Sequence, residues 1–176
     1  MNNKILCLTT KTSFPSIKNL IKEISLITES NIDTSHDTKT SPSDIQEVMD
    51  MNESNRLIFI EHTKRMDKLW IGSVDGASIK FKILDFITMS ALNSTFNIAK
   101  NRFLVFYHNF EEIKEIKNIM EQIFVPSEEA DNVISFFYKE KKIFFRNYKI
   151  DGDELREIGP RMTLEVEKVY ENFMKN

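Results

Sequence analysis

The stretch IFFRNYKI (143–150), DGDELR (151–156) and EIGPRMTLEVEKVY (157–170) decides how this chain is read. It forms two strands around an acidic turn, with a corner at Gly159-Pro160 that opens a long alternating strand. In that strand Met162, Leu164 and Val166 fall on one side and Thr163, Glu165 and Glu167 on the other, the period of two of a half-buried strand. Gly159 permits a backbone conformation closed to other residues, and Pro160 fixes φ and withholds a donor. Arg161 follows at once, a guanidinium held on stiff backbone. An arginine presented in this way suits a phosphate; the competing reading is an internal ion pair with Glu157 or Glu154 that orients the corner.

Upstream, the same periodicities lay out the rest. Lys4 to Thr9 is an apolar strand, and from Pro15 the residues Ile17, Leu20, Ile21, Ile24 and Ile27 recur at helical spacing through about residue 28. Residues 29 to 42 are polar and aperiodic, which predicts a loop. Ser43 followed by Gln46 is a capping-box pattern ahead of Ile45, Val48 and Met49, predicting a short second helix. Strands follow at Leu57 to His62, Leu69 to Val74 and Ser78 to Leu84, with turns at Lys64 to Lys68 and Asp75-Gly76. Residues 87 to 101 connect the halves, with at most a helical turn around Met89 to Leu92.

From residue 102 the pattern starts again: strand Phe103 to His108, helix Glu111 to Phe124, strands Val133 to Tyr138 and Lys142 to Lys149, then the strand after Gly159. Gly76-Ala77-Ser78-Ile79-Lys80-Phe81 resembles Gly159-Pro160-Arg161-Met162-Thr163-Leu164 at the start of the last strand of each half. A duplicated unit accounts for both similarities. The expectation is an α/β chain of two related β-α-β-β-β halves, about 1 to 86 and 102 to 171, packed as one body because each alone is too small to bury its sheet.

Composition bounds what such a chain does. With 176 residues, 41% hydrophobic and fourteen Phe, the sequence supports a packed core burying about 70% of its unfolded surface. Its apolar runs are too short to cross a bilayer, and the N-terminus has no signal-peptide cleavage pattern, predicting an intracellular protein. One cysteine, Cys7, excludes an internal disulfide and a cysteine-cluster zinc site. Four isolated glycines allow neither a P-loop nor a dinucleotide fingerprint. Glu61-His62 and His108 are the available acid/base set, but closing strands is the simpler role for each; His36 lies in the polar loop. Asp151, Asp153 and Glu154 lack calcium-loop spacing and suit an exposed turn. No cofactor, metal site or catalytic residue is expected.

A net charge of −3 argues against indiscriminate nucleic-acid binding, but the charge is unevenly placed. Residues 111 to 131 carry seven acids against Lys114 and Lys117, whereas Lys139, Lys141, Lys142, Arg146 and Lys149 face only Glu140 between 138 and 149. A basic ribbon beside an acidic face can hold RNA locally, although a solvated mixture of charges is the plainer account. The strands FLVFYH, ISFFY and IFFRNY invite comparison with base-stacking sheets. Most of their rings are expected in the core, with Tyr148 kept for the surface and Trp70 as a packing anchor whose donor needs a partner.

RNYKI, EIGPR and the alternating strand resemble the C-terminal signature of the Brix domain, a family of ribosome-assembly factors. The resemblance extends to KILCLTT (4–10), IFIEHTKRMDKLWIGSVDGASIKFKI (58–83) and RFLVFYHNF (102–110), and so covers nearly the whole chain. LWI (69–71) and FRNYKI are most similar to the large-subunit branch; a small-subunit relative is the alternative. The resemblance implies halves similar to the anticodon-binding domain of class II aminoacyl-tRNA synthetases, a noncatalytic role on precursor ribosomal RNA of the large subunit, and a nucleolar or nuclear location. That branch continues past the point matching Asn176 into an extension and charged tail, whose contacts lie outside this sequence. Candidate RNA contacts are Arg161, Arg146, Lys149, Tyr148 and Lys142, with Lys64, Arg65, Lys68, Lys80 and Lys82 as the basic set of the first half. Glu111, Glu112, Glu115 and Glu121 would repel RNA and form a surface for a basic partner among other assembly factors and ribosomal proteins. A protein-interaction scaffold without direct RNA contact is the remaining alternative.

Overall fold

The computed structural model describes residues 4–34, 41–92 and 101–174. The first apolar run is β1 (Ile5–Thr9), and α1 (Pro15–Thr28) follows with its Ile17, Leu20, Ile21, Ile24 and Ile27 stripe buried. After β2 (Asn31–Asp33) and α2 (Pro42–Met51) come β3 (Arg56–Glu61), β4 (Lys68–Ser73) and β5 (Ser78–Ile87). The second half contributes β6 (Arg102–Tyr107), α3 (Lys114–Ile123), β7 (Asn132–Lys139), β8 (Lys142–Asp151), β9 (Glu154–Glu157) and β10 (Arg161–Tyr170). Short 3-10 turns occupy Ser90–Leu92 and Phe110–Ile113. Among the described residues no helix is long and apolar enough to cross a membrane.

All ten strands join one sheet in the order β2-β1-β3-β4-β5-β10-β8-β7-β6, with β9 paired to β8. The β1·β3 and β6·β7 pairs are parallel, each bridged by a crossover containing α1 or α3, and the strands after them are antiparallel. Strand, helix and three strands therefore occur twice, and the last strand of each copy meets its counterpart: β5 and β10 pair antiparallel, from Arg161 opposite Ile87 to Tyr170 opposite Ser78. The halves share backbone hydrogen bonds as well as a core.

Three local features differ from expectation. Part of the polar stretch after α1 is a strand: β2 runs parallel to β1, and residues 35–40, with His36, lie outside the described residues. Asn31-Ile32-Asp33 pairs through its backbone at a sheet edge and buries little, so it carries no hydrophobic period. The cap of α2 is Ser41, whose Oγ accepts from the Asp44 N–H at 3.2 Å, because Pro42 already suits the first turn; Ser43 lies inside the helix. Within the acidic turn, Glu154 to Glu157 folds back as β9, and only Gly152 and Asp153 remain at the tip.

Both halves are covered on one side of the sheet by α1 and α3, which pack on Ile58, Ile60, Leu69, Phe81, Phe136, Phe145, Met162 and Leu164. On the other side Ile45 and Met49 of α2 close a second core over Leu6, Leu8, Leu57, Phe59 and Trp70, together with Phe173 and Met174. Trp70 is buried there as an anchor: its indole donates to Glu61 Oε2 at 3.0 Å, and its ring stacks on Tyr170. Across the seam Lys82 pairs with Glu165 at 2.5 Å, and Glu167 lies 3.2 Å from Lys68 and 3.7 Å from Lys80.

Leu164 sits on β10 between Ile83 and Ile143 with 1% exposure. Leu164→Ala should cost about 2–5 kcal/mol in urea titrations, and Trp70 fluorescence and far-UV circular dichroism should still report one coincident transition. The Lys82 hydrogen bond holds the Glu165 carboxyl below its ordinary range. A depressed carboxyl contributes stability above its unfolded pKa and loses it as pH falls through the folded one. Wild type should therefore lose more stability than Lys82→Met on acidification through the carboxylate range, measured by urea melts at stepped pH.

Candidate nucleic-acid interface

The corner after β9 is built by a residue outside the candidate set. Asn147, buried on β8, accepts at its backbone oxygen from the N–H groups of Ile158 (3.0 Å) and Gly159 (3.2 Å), and its Nδ2 donates to Gly159 O at 2.7 Å. Gly159 takes φ 76°, and a Cβ there would lie 2.9 Å from Leu92 Cδ1, so both conformation and space demand glycine. The sequence signal was present in FRNYKI, where a polar residue stands on the buried parity of a strand. A lone Asn in a strand does not itself name its partners, which here lie eleven and twelve residues on at Ile158 and Gly159.

Arg161 leaves this corner and pairs with Glu157 at 2.5 Å, so the internal ion pair foreseen as the alternative role is formed. It is not exclusive. Arg146 Nε stands 4.0 Å from the other Glu157 oxygen, and its Nη1 donates to Phe145 O and Met162 O at 2.7 and 3.1 Å. One carboxylate thus faces two guanidiniums, whose side chains remain 24% (Arg146) and 31% (Arg161) exposed. The cluster keeps a net positive charge, and Arg161 Nε has no hydrogen-bond partner among the described residues.

The other candidates separate. Alternation along β8 places Lys142, Arg146 and Tyr148 on the side away from α3, while Lys149 falls on the opposite parity, opposite Arg156 of β9. Lys68, Lys80 and Lys82 project from the sheet but are engaged by Glu165 and Glu167, and Lys80 also lies 4.5 Å over the Trp70 ring. Burial lowers the Lys80 pKa from its ordinary value. Lys64 and Arg65 are exposed on the turn after β3, which Thr63 Oγ1 closes by accepting from Met66 N at 3.1 Å. Glu111, Glu112, Glu115 and Glu121 are all exposed on and before α3, with Lys114 and Lys117 pairing to Glu111 and Glu121.

The aromatic strands divide their rings between two faces. Phe136 and Phe145 are buried under α3 and Phe106 packs against that core, as expected of most rings, but Phe103, Tyr107, Phe137, Phe144 and Tyr148 turn to the other side and stay partly or largely exposed. Keeping only Tyr148 for the surface is too few. His62 and His108 do not meet: six strand spacings separate β3 from β6, about 29 Å. His62 pairs with Asp67 at 2.6 Å, and His108 packs on Phe137. Among the described residues no group of three His, Cys, Asp or Glu is gathered for a metal ion.

The Brix domain family matches residues 11–168. A ribosome biogenesis protein BRX1 homolog of Dictyostelium discoideum is 34% identical over 167 residues, covering 84% of this chain and 51% of that protein. The Homo sapiens BRX1 homolog is 32% identical over 162 residues, covering 83% and 46%. The chain thus spans about half the length of these curated relatives. Two solved structures share the fold: a probable ribosomal biogenesis protein from Aeropyrum pernix, with TM-score 0.64 and 10% identity over 93% of this chain and 96% of that one, and Mil, an archaeal Imp4-like protein, with TM-score 0.52 and 12% identity over 96% and 99%. A sheet built of two like halves, a glycine-proline corner that presents an arginine, and this spread of relatives have one common source: the chain belongs to the Brix domain family.

Proposed function

We propose that this chain is a noncatalytic factor of large-subunit assembly that binds precursor ribosomal RNA in the nucleolus, with the corner of Arg146 and Arg161 as its phosphate contact. The observation that carries the RNA contact is the sharing of one carboxylate, Glu157, by two half-buried guanidiniums. A phosphate oxygen offers Arg161 a second acceptor without breaking the corner, since Asn147 and Gly159 hold the backbone independently of the ion pair. Lys142 and Tyr148 on the same face extend the contact along the RNA backbone, Lys149 reaches it from the strand's other side, and Lys64 and Arg65 offer a separate exposed patch. Lys68, Lys80 and Lys82 serve mainly to hold β10 against β4 and β5. The exposed acids Glu111, Glu112, Glu115 and Glu121 face away from RNA and suit a basic protein partner in the preribosome.

The engagement of those three lysines also favours a second reading, a scaffold that contacts only proteins. RNA crosslinking in cells with the tagged chain separates the two, beside a variant carrying Arg146→Glu and Arg161→Glu shown to be folded. Crosslinks should concentrate in large-subunit precursor RNA and fall about ten-fold in the variant. Crosslinks in the small-subunit precursor would move the protein to that branch. None at all, with preribosomal proteins still co-purifying, would leave the scaffold.

Glu157→Gln probes the corner directly. Stranding two partly buried guanidiniums should cost about 1–3 kcal/mol in urea melts. Affinity for RNA should rise, with a salt dependence steeper by about one phosphate contact in filter-binding titrations. Unchanged RNA affinity would assign both arginines a purely structural role.

A further inference from the structure

The phenylalanines that follow the first strand of each half behave differently. Phe110, after β6, is 4% exposed and packs on Phe106 and Tyr138, whereas Phe14, after β1, is 62% exposed. Phe14 also holds the position before α1, where Ser, Thr, Asp or Asn ordinarily caps a helix, and its side chain makes no cap. Its ring is nonetheless fixed. It meets the His62 ring at 4.7 Å and 69°, and His62 is held by Asp67 at 2.6 Å. Behind it the turn is closed by buried hydroxyls: Ser13 Oγ lies 2.6 Å from Thr9 Oγ1 and 2.9 Å from Thr10 Oγ1. Thr10 Oγ1 also accepts from the His62 N–H at 3.2 Å, which ties this turn to the one after β3. A rigid ring held out in solvent, against the usual rules of helix capping and burial, is a combination expected of a residue kept for binding.

We propose that the turns after β1 and β3 together form a single-stranded RNA site, in which an unpaired base stacks on Phe14 while Lys11, Lys64 and Arg65 hold the phosphates beside it. The three cations are exposed and form no ion pair among the described residues. Residues 10–16 and 62–66 contain no acid, and Asp67 is taken by His62. An unpaired base offers a flat face to the ring and its phosphates offer charge to the cations. A duplex keeps its bases stacked on one another, and an acidic peptide would leave the ring unused. The site rests on the RNA reading above and deepens it from phosphate to base. Strands β3, β4, β5 and β10 run alternately up and down, so the turn after β3 and Arg161 at the start of β10 share one end of the sheet. Three strand spacings, about 14 Å, separate them across the sheet. A strand leaving the arginine corner therefore reaches this turn within a few nucleotides. Asp85, exposed on β5 opposite Thr163, keeps it at the end of the sheet and off the face between.

The test is a filter-binding titration of the full chain with a labelled single-stranded RNA of about eight nucleotides, at stepped salt. Phe14→Leu should lower affinity about ten-fold and leave the salt slope unchanged, since it removes a stacking face and no charge. Phe14→Trp should bind as the wild type does, and RNA should quench the added indole emission but not that of buried Trp70. Lys64→Gln with Arg65→Gln should reduce the salt slope by about one to two. Circular dichroism confirms the fold of each variant. The variant carrying Arg146→Glu and Arg161→Glu, run beside them, reports the corner separately. Binding lost in that variant but unmoved by Phe14→Leu would overturn the stacking site and leave the corner's RNA contact standing. No binding by the wild type would overturn both. A Phe14→Leu loss equally large on duplex RNA would also overturn the site. So would ribonuclease-resistant protein adducts alone from p-benzoylphenylalanine placed at Phe14 in cells, which would assign the surface to an acidic partner protein.

Discussion

The pairing of β5 with β10 is the constraint on which everything else depends. Each half alone is a small sheet with one helix across its main core, a poor ratio of core to surface. Joined edge to edge, the two expose neither terminal strand of the seam and place Ile79, Phe81 and Ile83 beside Val169, Val166 and Leu164 under a continuous layer of α1 and α3. The helices' layer is also cross-linked: Arg56 from the first half donates to the Gln122 carbonyl of α3, and Arg102 from the second lies 3.7 Å from Glu29 at the end of α1. The arginine corner inherits its position from this seam. Arg161 is the first residue of β10, so the ladder that joins the halves also aims the guanidinium.

What the sequence disclosed and what it withheld follow one physical division. Elements that bury a regular stripe were legible: the isoleucines of α1, the alternation of β10, the repeated order of strand and helix. Elements that pair at an edge without burying a stripe were not, as β2 and β9 show, since Asn31-Ile32-Asp33 and Glu154-Leu155-Arg156-Glu157 stay largely exposed and follow no hydrophobic period. At the site, Gly159 and Arg161 stood out because their chemistry is local. Asn147 did not, because its worth lies in carbonyl and amide groups twelve residues away. The engagement of Lys68, Lys80 and Lys82 depends on the register between strands more than eighty residues apart, which the pattern of either strand leaves open.

The same register explains how a protein of net negative charge keeps a locally positive corner. Glutamates on β10 absorb the lysines of the first half, where the sheet needs cohesion, while at the far end of the strand a lone carboxylate is divided between two arginines. Charge is thus spent locally on assembly of the sheet and withheld at one corner.

The closing turn of the chain has a temporal meaning. Tyr170, Phe173 and Met174 complete the second core of the first half, stacking on Trp70 and packing with α2, and Ser78 Oγ accepts from the Met174 N–H at 2.8 Å. During translation, residues 4 to 87 therefore emerge with one face of their sheet covered by α2 alone and the edge of β5 unpaired, and both deficits persist until β10 and the turn after it leave the exit tunnel. A nascent chain of this kind cannot mature domain by domain. Its first half must be sheltered, or wait, until β10 and the turn after it have been made.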